Sequence, residues 1–158
     1  MSNAVRYSID TSALLDGMKR YYPPAPFKQL WIEIDQLIGD GRLFASEEVH
    51  EELKIHDDEV KSWMEARSDA LLVPTDMRIT TEVTAILTAN PRLVMNMKGR
   101  NRADPFVIAV ARVHGATVVT GEGGDGTQDR PKIPYVCQQL GVPCMRFLDL
   151  ITSEKWTF

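Results

Sequence analysis

The chain has 158 residues, of which 44% are hydrophobic and 25% charged, a composition typical of one globular domain over residues 1–158. It has no apolar run of about 18 residues and no basic N-terminal segment before an apolar core, so neither a membrane span nor a secretion signal is expected. The net charge of −4 lacks the basic excess of most nucleic-acid binders, and two cysteines at positions 137 and 144 fit neither a zinc site nor a disulfide framework, which favours the cytoplasm.

Apolar periodicity and breaker residues predict strands that alternate with helices in the first half of the chain. A strand at residues 5–9 ends at Asp10, and Ser12 is expected to cap the helix that follows. The prolines within residues 22–26 must end that helix. The remaining predicted elements of this half are a helix at 27–38, a strand at 42–45, a helix capped by Ser46, a helix through 60–64 and a strand at 70–73.

The same alternation continues in the second half of the chain. An amphipathic helix at residues 79–87 stops before Pro91, and residues 106–111 are apolar on every side, which predicts a buried helix. The β-branched run at 116–120 is typical of a strand buried on both faces, and a last strand is predicted at 144–147. These elements predict a three-layer α/β/α sandwich with a central, mainly parallel sheet, in which ligands lie beyond the C-terminal ends of the strands.

Four acidic residues from separate parts of the chain fall near that edge. Asp10 ends the first strand, and Glu122 follows the strand at 116–120 after a single glycine. Asp104 opens the buried helix, and Glu52 lies near the end of the helix that begins at Ser46. We therefore expect these four acids to converge on one rim of the sheet.

Each acid also has a purely structural interpretation. Asp104 precedes Pro105, and aspartate at the N-cap with proline at the first helical position is a standard helix start. The other open alternatives are a turn at Asp10, a solvated helix face at Glu52 with Glu48 as its substitute, and Asp125 or Asp129 in place of Glu122.

Five segments in chain order are similar to the PIN-domain nucleases, and within them to a toxin-type PIN-like bacterial subfamily. They are YSIDTS at residues 7–12, EVHEEL at 48–53, RADPFVIA at 102–109, VVTGE at 118–122 and KIPYVC at 132–137. The resemblance implies a PIN-like fold with Asp10, Glu52, Asp104 and Glu122 as catalytic, metal-binding acids and with Ser12 and Thr120 as supporting hydroxyls. Many members have aspartate where this chain has Glu122.

This resemblance implies a metal-dependent endoribonuclease that hydrolyses RNA phosphodiester bonds with Mg²⁺ or Mn²⁺, the ions that carboxylate ligands suit. It also implies the toxin of a toxin–antitoxin pair, a homodimer and a protein antitoxin with a DNA-binding domain. A basic stretch containing Lys98, Arg100 and Arg102 runs into Asp104 and is a candidate RNA-backbone contact, or simply a charged surface loop.

Two other classes of protein compete with the nuclease. A non-catalytic PIN-like module would bind RNA or a partner without cutting, and the change to Glu122 keeps that alternative open. An aspartyl phosphatase of the dehalogenase type also begins with an aspartate at a strand end, but it needs a second aspartate two residues later. Ser12 stands at that position, which disfavours the phosphatase.

Overall fold

The fold is built around a parallel sheet of five short strands, seen in a computed structural model that describes residues 4–93, 102–122 and 131–158. The spatial order is β3-β2-β1-β4-β5, and every neighbouring pair is parallel. The strands are β1 (Tyr7–Ile9), β2 (Leu43–Ser46), β3 (Leu72–Val73), β4 (Thr117–Val119) and β5 (Cys144–Met145).

Helices flank the sheet and make the predicted three-layer α/β/α sandwich, a PIN-like fold. The last of them, α9, was not predicted from the sequence. The helices are α1 (Thr11–Leu15), which continues as a π-helix over Asp16–Tyr21, α2 (Lys28–Gly39), α3 (Glu47–His56), α4 (Asp58–Glu65), α5 (Ser68–Leu71), α6 (Met77–Ala89) with a 3₁₀ turn at Pro91–Leu93, α7 (Asp104–His114), α8 (Ile133–Leu140) and α9 (Phe147–Ser153).

The central strands and α7 form the middle of the core. Every residue of β1 and β4 is buried, and α7 buries most of its length against β1, β2 and β4. The hydroxyl of Ser8 in β1 donates to the Val107 carbonyl of α7 over 2.9 Å, which joins strand and helix inside the core. Since all strands run the same way, their C-terminal ends lie at one edge, and α7 begins at that edge and runs back toward the other.

Three predicted boundaries are wrong in part. Ser12 lies inside α1, whose N-cap is Asp10. Residues 70 and 71 end the helix α5, so only the second half of the strand predicted at 70–73 exists. The last strand ends at Met145, because Phe147 turns into α9 and is buried there. By contrast, Ser46 caps α3 as expected, its Oγ accepting from the Glu48 amide over 3.1 Å.

Cys137 and Cys144 are both free cysteines. Among the described residues there is no helix with both the length and the apolar character that crossing a bilayer requires.

Candidate metal centre

Three carboxylates from distant segments meet at the C-terminal edge of the sheet. Asp10 follows β1, Glu122 lies three residues beyond β4, and Asp104 is the first residue of α7. One oxygen of each side chain lies within 4.8 Å of the others. Asp10 and Asp104 are only 2% and 3% exposed, while Glu122 is half-buried. The cluster therefore brings three acidic groups together in a largely buried place.

Asp10 is the most firmly held of the three. Its Oδ1 accepts from the Thr11 amide over 2.8 Å, and its Oδ2 accepts from the hydroxyls of Ser12 at 2.6 Å and Thr120 at 3.0 Å. Burial raises the pKa of Asp10 above its ordinary value, and these three donors oppose the rise. The side chain is thus oriented by its neighbours before any ligand binds.

The two hydroxyls that hold Asp10 are themselves oriented by the chain after β4. Ser12 Oγ accepts from the Gly121 amide over 2.9 Å, and Thr120 Oγ1 accepts from the Glu122 amide over 3.2 Å. Because a hydroxyl has a single hydrogen, accepting from the backbone directs that hydrogen to Asp10. Ser12 and Thr120, the supporting hydroxyls implied by the resemblance, both contact Asp10.

Glu122 is held from its other side by the start of α8. Its Oε2 accepts from the backbone amide of Ile133, the first residue of that helix, over 2.8 Å. Burial raises the pKa of Glu122, the Ile133 amide lowers it, and the charge of Asp10 raises it. The longer side chain thus reaches the cluster while remaining fixed to α8.

Asp104 is not a helix cap. The N-cap of α7 is Ala103, and no side chain caps this helix end, so the capping interpretation of Asp104 is wrong. Its carboxyl instead faces Asp10 and Glu122 and hydrogen-bonds to Glu122. Burial first, then the charges of Asp10, Glu122 and Glu52, raise the pKa of Asp104 to about 11. At neutral pH the metal-free cluster therefore keeps a proton on Asp104.

Glu52 lies beside the three carboxylates and positions one of them. It is 6% exposed, so the interpretation as a solvated face is wrong. Its Oε2 accepts from the Ala103 amide over 2.6 Å, immediately before Asp104. Glu48, its proposed substitute, lines a cavity of about 370 Å³ with Glu52 and Arg102 at one flank of the site.

The chemistry of the donor set suits a hard divalent cation. All three side chains offer carboxylate oxygens, the ligands that Mg²⁺ and Mn²⁺ prefer. Two oxygens about 2.1 Å from one ion are about 3.0 Å apart when adjacent and about 4.2 Å apart when opposite, so modest side-chain movements would bring the three to coordinating distance. A bound cation would also offset the buried like charges. Asp10, Asp104 and Glu122 are therefore a possible metal-binding group.

Several predicted positions fall outside the described residues. Lys98 and Arg100 of the basic stretch do so, as do Asp125 and Asp129, the alternatives to Glu122. Arg102 is described and exposed, next to Glu48 and Glu52.

Sequence reasoning missed a further carboxylate close to this site, that of Asp16, which lies against Gly121. A methyl group built on Gly121 would overlap the Asp16 carboxylate and lie 3.0 Å from the Ser12 carbonyl oxygen. Gly121 therefore allows the chain after β4 to approach α1 closely. The available signal was the spacing of Ser12 and Asp16, four residues apart and hence on one helix face.

Comparison with known proteins agrees with the fold. The structure is similar to the crystal structure of FitAcB from Neisseria gonorrhoeae, with a TM-score of 0.50 and 16% sequence identity over 88% of this chain and 96% of that chain. A comparison with curated proteins found no match. Residues 7–158 match the family described as "Domain of unknown function (DUF4411)", and the chain therefore belongs to that family.

Proposed function

We propose that the protein is a single-domain, metal-dependent endoribonuclease that hydrolyses RNA phosphodiester bonds. The observation that carries the proposal is the meeting of Asp10, Asp104 and Glu122, whose oxygens lie within 4.8 Å of one another in a buried site. A purely structural cluster of this kind would be costly, because buried like charges raise one another's pKa and oppose folding. Strongly perturbed acids in one place are characteristic of functional sites.

In this proposal the chain supplies a fixed set of oxygen ligands for Mg²⁺ or Mn²⁺. Asp10 is the central ligand, since Ser12, Thr120 and Thr11 hold it in one orientation. Asp104 and Glu122 complete the set, and Glu52 keeps Asp104 in place through the Ala103 amide. Such an ion neutralises charge on the phosphate and activates water at neutral pH. Asp104 must lose its proton when the ion binds.

The phosphatase alternative finds no support in the geometry. A second acid/base group would have to act from position 12, where the Ser12 hydroxyl donates to Asp10 and accepts from Gly121. A non-catalytic module is the second candidate function. It is disfavoured because binding without cleavage would not need three buried acids close enough to share one ion. A protein that does not cleave RNA in the assay below would favour it.

The biological role we propose is that of a toxin controlled by a protein antitoxin with a DNA-binding domain, acting as a homodimer. Support comes from the resemblance of the five sequence segments to toxin-type PIN proteins and from the shared fold. Expression of the wild-type chain is expected to arrest growth, while Asp10→Asn restores it. A small DNA-binding protein encoded beside the gene should bind this chain and relieve the arrest.

Cleavage of single-stranded RNA tests the activity directly. The wild-type protein is incubated with RNA in Mg²⁺, Mn²⁺ or EDTA, and products are resolved on a denaturing gel. Cleavage should require the ion, and Asp10→Asn should abolish it, because the ion loses its central ligand. Asp69→Asn is the matched control, because this exposed residue lies in α5, before β3 and so at the opposite edge of the sheet. Cleavage in EDTA, or undiminished cleavage by Asp10→Asn, would contradict the proposal.

A further inference from the structure

A cavity of about 430 Å³ adjoins the carboxylate cluster on the side of β5. Its lining includes Glu122 and Thr120 together with the polar side chains of Gln138, Arg146 and Asp149. This volume falls within the range of about 300–1,000 Å³ found for small-ligand sites in proteins. The cavity is thus large enough for one nucleoside and shares Glu122 with the proposed cleavage site.

Arg146 is placed by the sheet itself. It follows β5 directly, and β5 is the next strand after β4 and the second from β1. Neighbouring strands are about 4.8 Å apart, so the end of β5 is about 10 Å from the end of β1, which carries Asp10. An arginine side chain at this point lies one nucleotide-sized step along the edge from the cluster.

The guanidinium of Arg146 is exposed and has no ion pair with any residue in the described part of the chain. Asp149, the nearest acid on α9, accepts from the Arg146 backbone amide over 3.0 Å. A cation without a charged partner beside a strongly acidic cluster is well suited to a phosphate, because guanidinium binds phosphate with paired hydrogen bonds.

From these observations we infer that the cavity holds the nucleoside next to the cleaved bond and that Arg146 binds the following phosphate of a single-stranded RNA. The inference rests on the proposed nuclease function and names a binding residue for it. Arg146 therefore orients the strand rather than taking part in the chemistry. The amide of Gln138 both donates and accepts, so it can hydrogen-bond a base edge that only an unpaired strand exposes.

Binding of a fluorescein-labelled 12-residue RNA of mixed sequence tests this independently of cleavage. Fluorescence anisotropy is measured in the Asp10→Asn background at several salt concentrations. Arg146→Ala should weaken binding about tenfold and reduce the slope of log K against log salt by about 0.7, the value for one phosphate contact to a single strand. Arg146→Lys should restore the slope.

Arg78→Ala is the matched control. Arg78 is exposed on α6 and lies near His114, where α7 ends at the opposite edge of the sheet, so the same charge is removed away from the site. It should leave affinity and slope unchanged. An Arg146→Ala slope equal to that of Arg78→Ala overturns the inference, and so does a lack of RNA binding in the parent protein.

Alkylation of Cys144 gives a second readout. This half-buried thiol lines the cavity, whereas Cys137 is buried. Bound RNA should slow the reaction of Cys144 with iodoacetamide severalfold, and Arg146→Ala should reduce that protection. If wild-type protein binds RNA with the predicted Arg146 dependence but never cuts it, the nuclease proposal fails and this inference stands. If the protein cleaves RNA but neither binding nor cleavage changes in Arg146→Ala, the nuclease proposal stands and this inference fails.

Discussion

Replacing Asp104 with asparagine tests whether this residue carries the proton of the metal-free carboxylate cluster. The folded protein raises the pKa of Asp104 to about 11 from an ordinary value of 3.8. The stabilisation by this group is thus fully present below pH 3.8 and is lost as pH rises toward 11. Between these values the folded metal-free protein holds a proton that the unfolded chain has released. Its free energy of unfolding should therefore fall by up to about 1.4 kcal/mol per pH unit.

Asparagine has the shape of the protonated acid and cannot ionise. In Asp104→Asn the part of the dependence of the unfolding free energy on pH that is due to this group should disappear. The metal-free variant should therefore gain stability relative to the metal-free wild type as pH rises from about 5 to 8. The variant should also lose the stabilisation by metal. At a hundred times its dissociation constant Mg²⁺ contributes about 2.7 kcal/mol to the wild type, which corresponds to a Tm increase of about 5–10 °C.

Thermal unfolding followed by circular dichroism measures both effects, in EDTA and in Mg²⁺ at each pH. Asp69→Asn is again the control and should retain both the pH slope and the metal shift. If metal-free Asp104→Asn and the wild type have the same pH slope, the buried proton is not on Asp104. If the Mg²⁺ shift survives the substitution, Asp104 is not a ligand.

Two further substitutions test the supports of the cluster. Glu52→Ala leaves the buried amide of Ala103 unpaired, so the free energy of unfolding measured in urea should fall by about 1–3 kcal/mol. The control Glu48→Ala should lower it by at most about 0.5 kcal/mol. Equal losses in the two variants would contradict the positioning role of Glu52. Gly121→Ala forces the added methyl group against the Asp16 carboxylate and should cost about 1–3 kcal/mol, part of which a second change, Asp16→Ala, recovers. An unchanged Tm for Gly121→Ala would show that Gly121 does not lie close to the Asp16 carboxylate.

The sequence predicts the architecture well where its signals are continuous. The run at 116–120 and the apolar segment at 106–111 became β4 and the buried helix α7, because β-branched strands and all-round apolar helices suit only the interior. Element ends were less predictable. Strands of two residues such as β3 depend on their neighbours for pairing, so no local pattern distinguishes their ends from the helices beside them.

The candidate site was only partly predictable. The rule that ligands lie beyond the strand ends selects Asp10 and Glu122, and the same rule applied to β5 would have indicated Arg146. The rule does not predict whether Asp104 joins the cluster, since Asp-Pro is equally suited to a helix cap. Only the packing of α7 against the sheet shows where the Asp104 carboxyl lies. Likewise, the burial of Glu52 depends on the distant Ala103 amide.

Diffraction from a crystal soaked in Mn²⁺ and measured for anomalous scattering tests the central claim most directly. The account predicts a strong anomalous peak between the carboxylates of Asp10, Asp104 and Glu122, at about 2.1–2.3 Å from an oxygen of each. The same soak of Asp10→Asn should show no peak there. Wild-type density with no ion among these side chains, or an ion bound elsewhere with the three carboxylates unaltered, would contradict it.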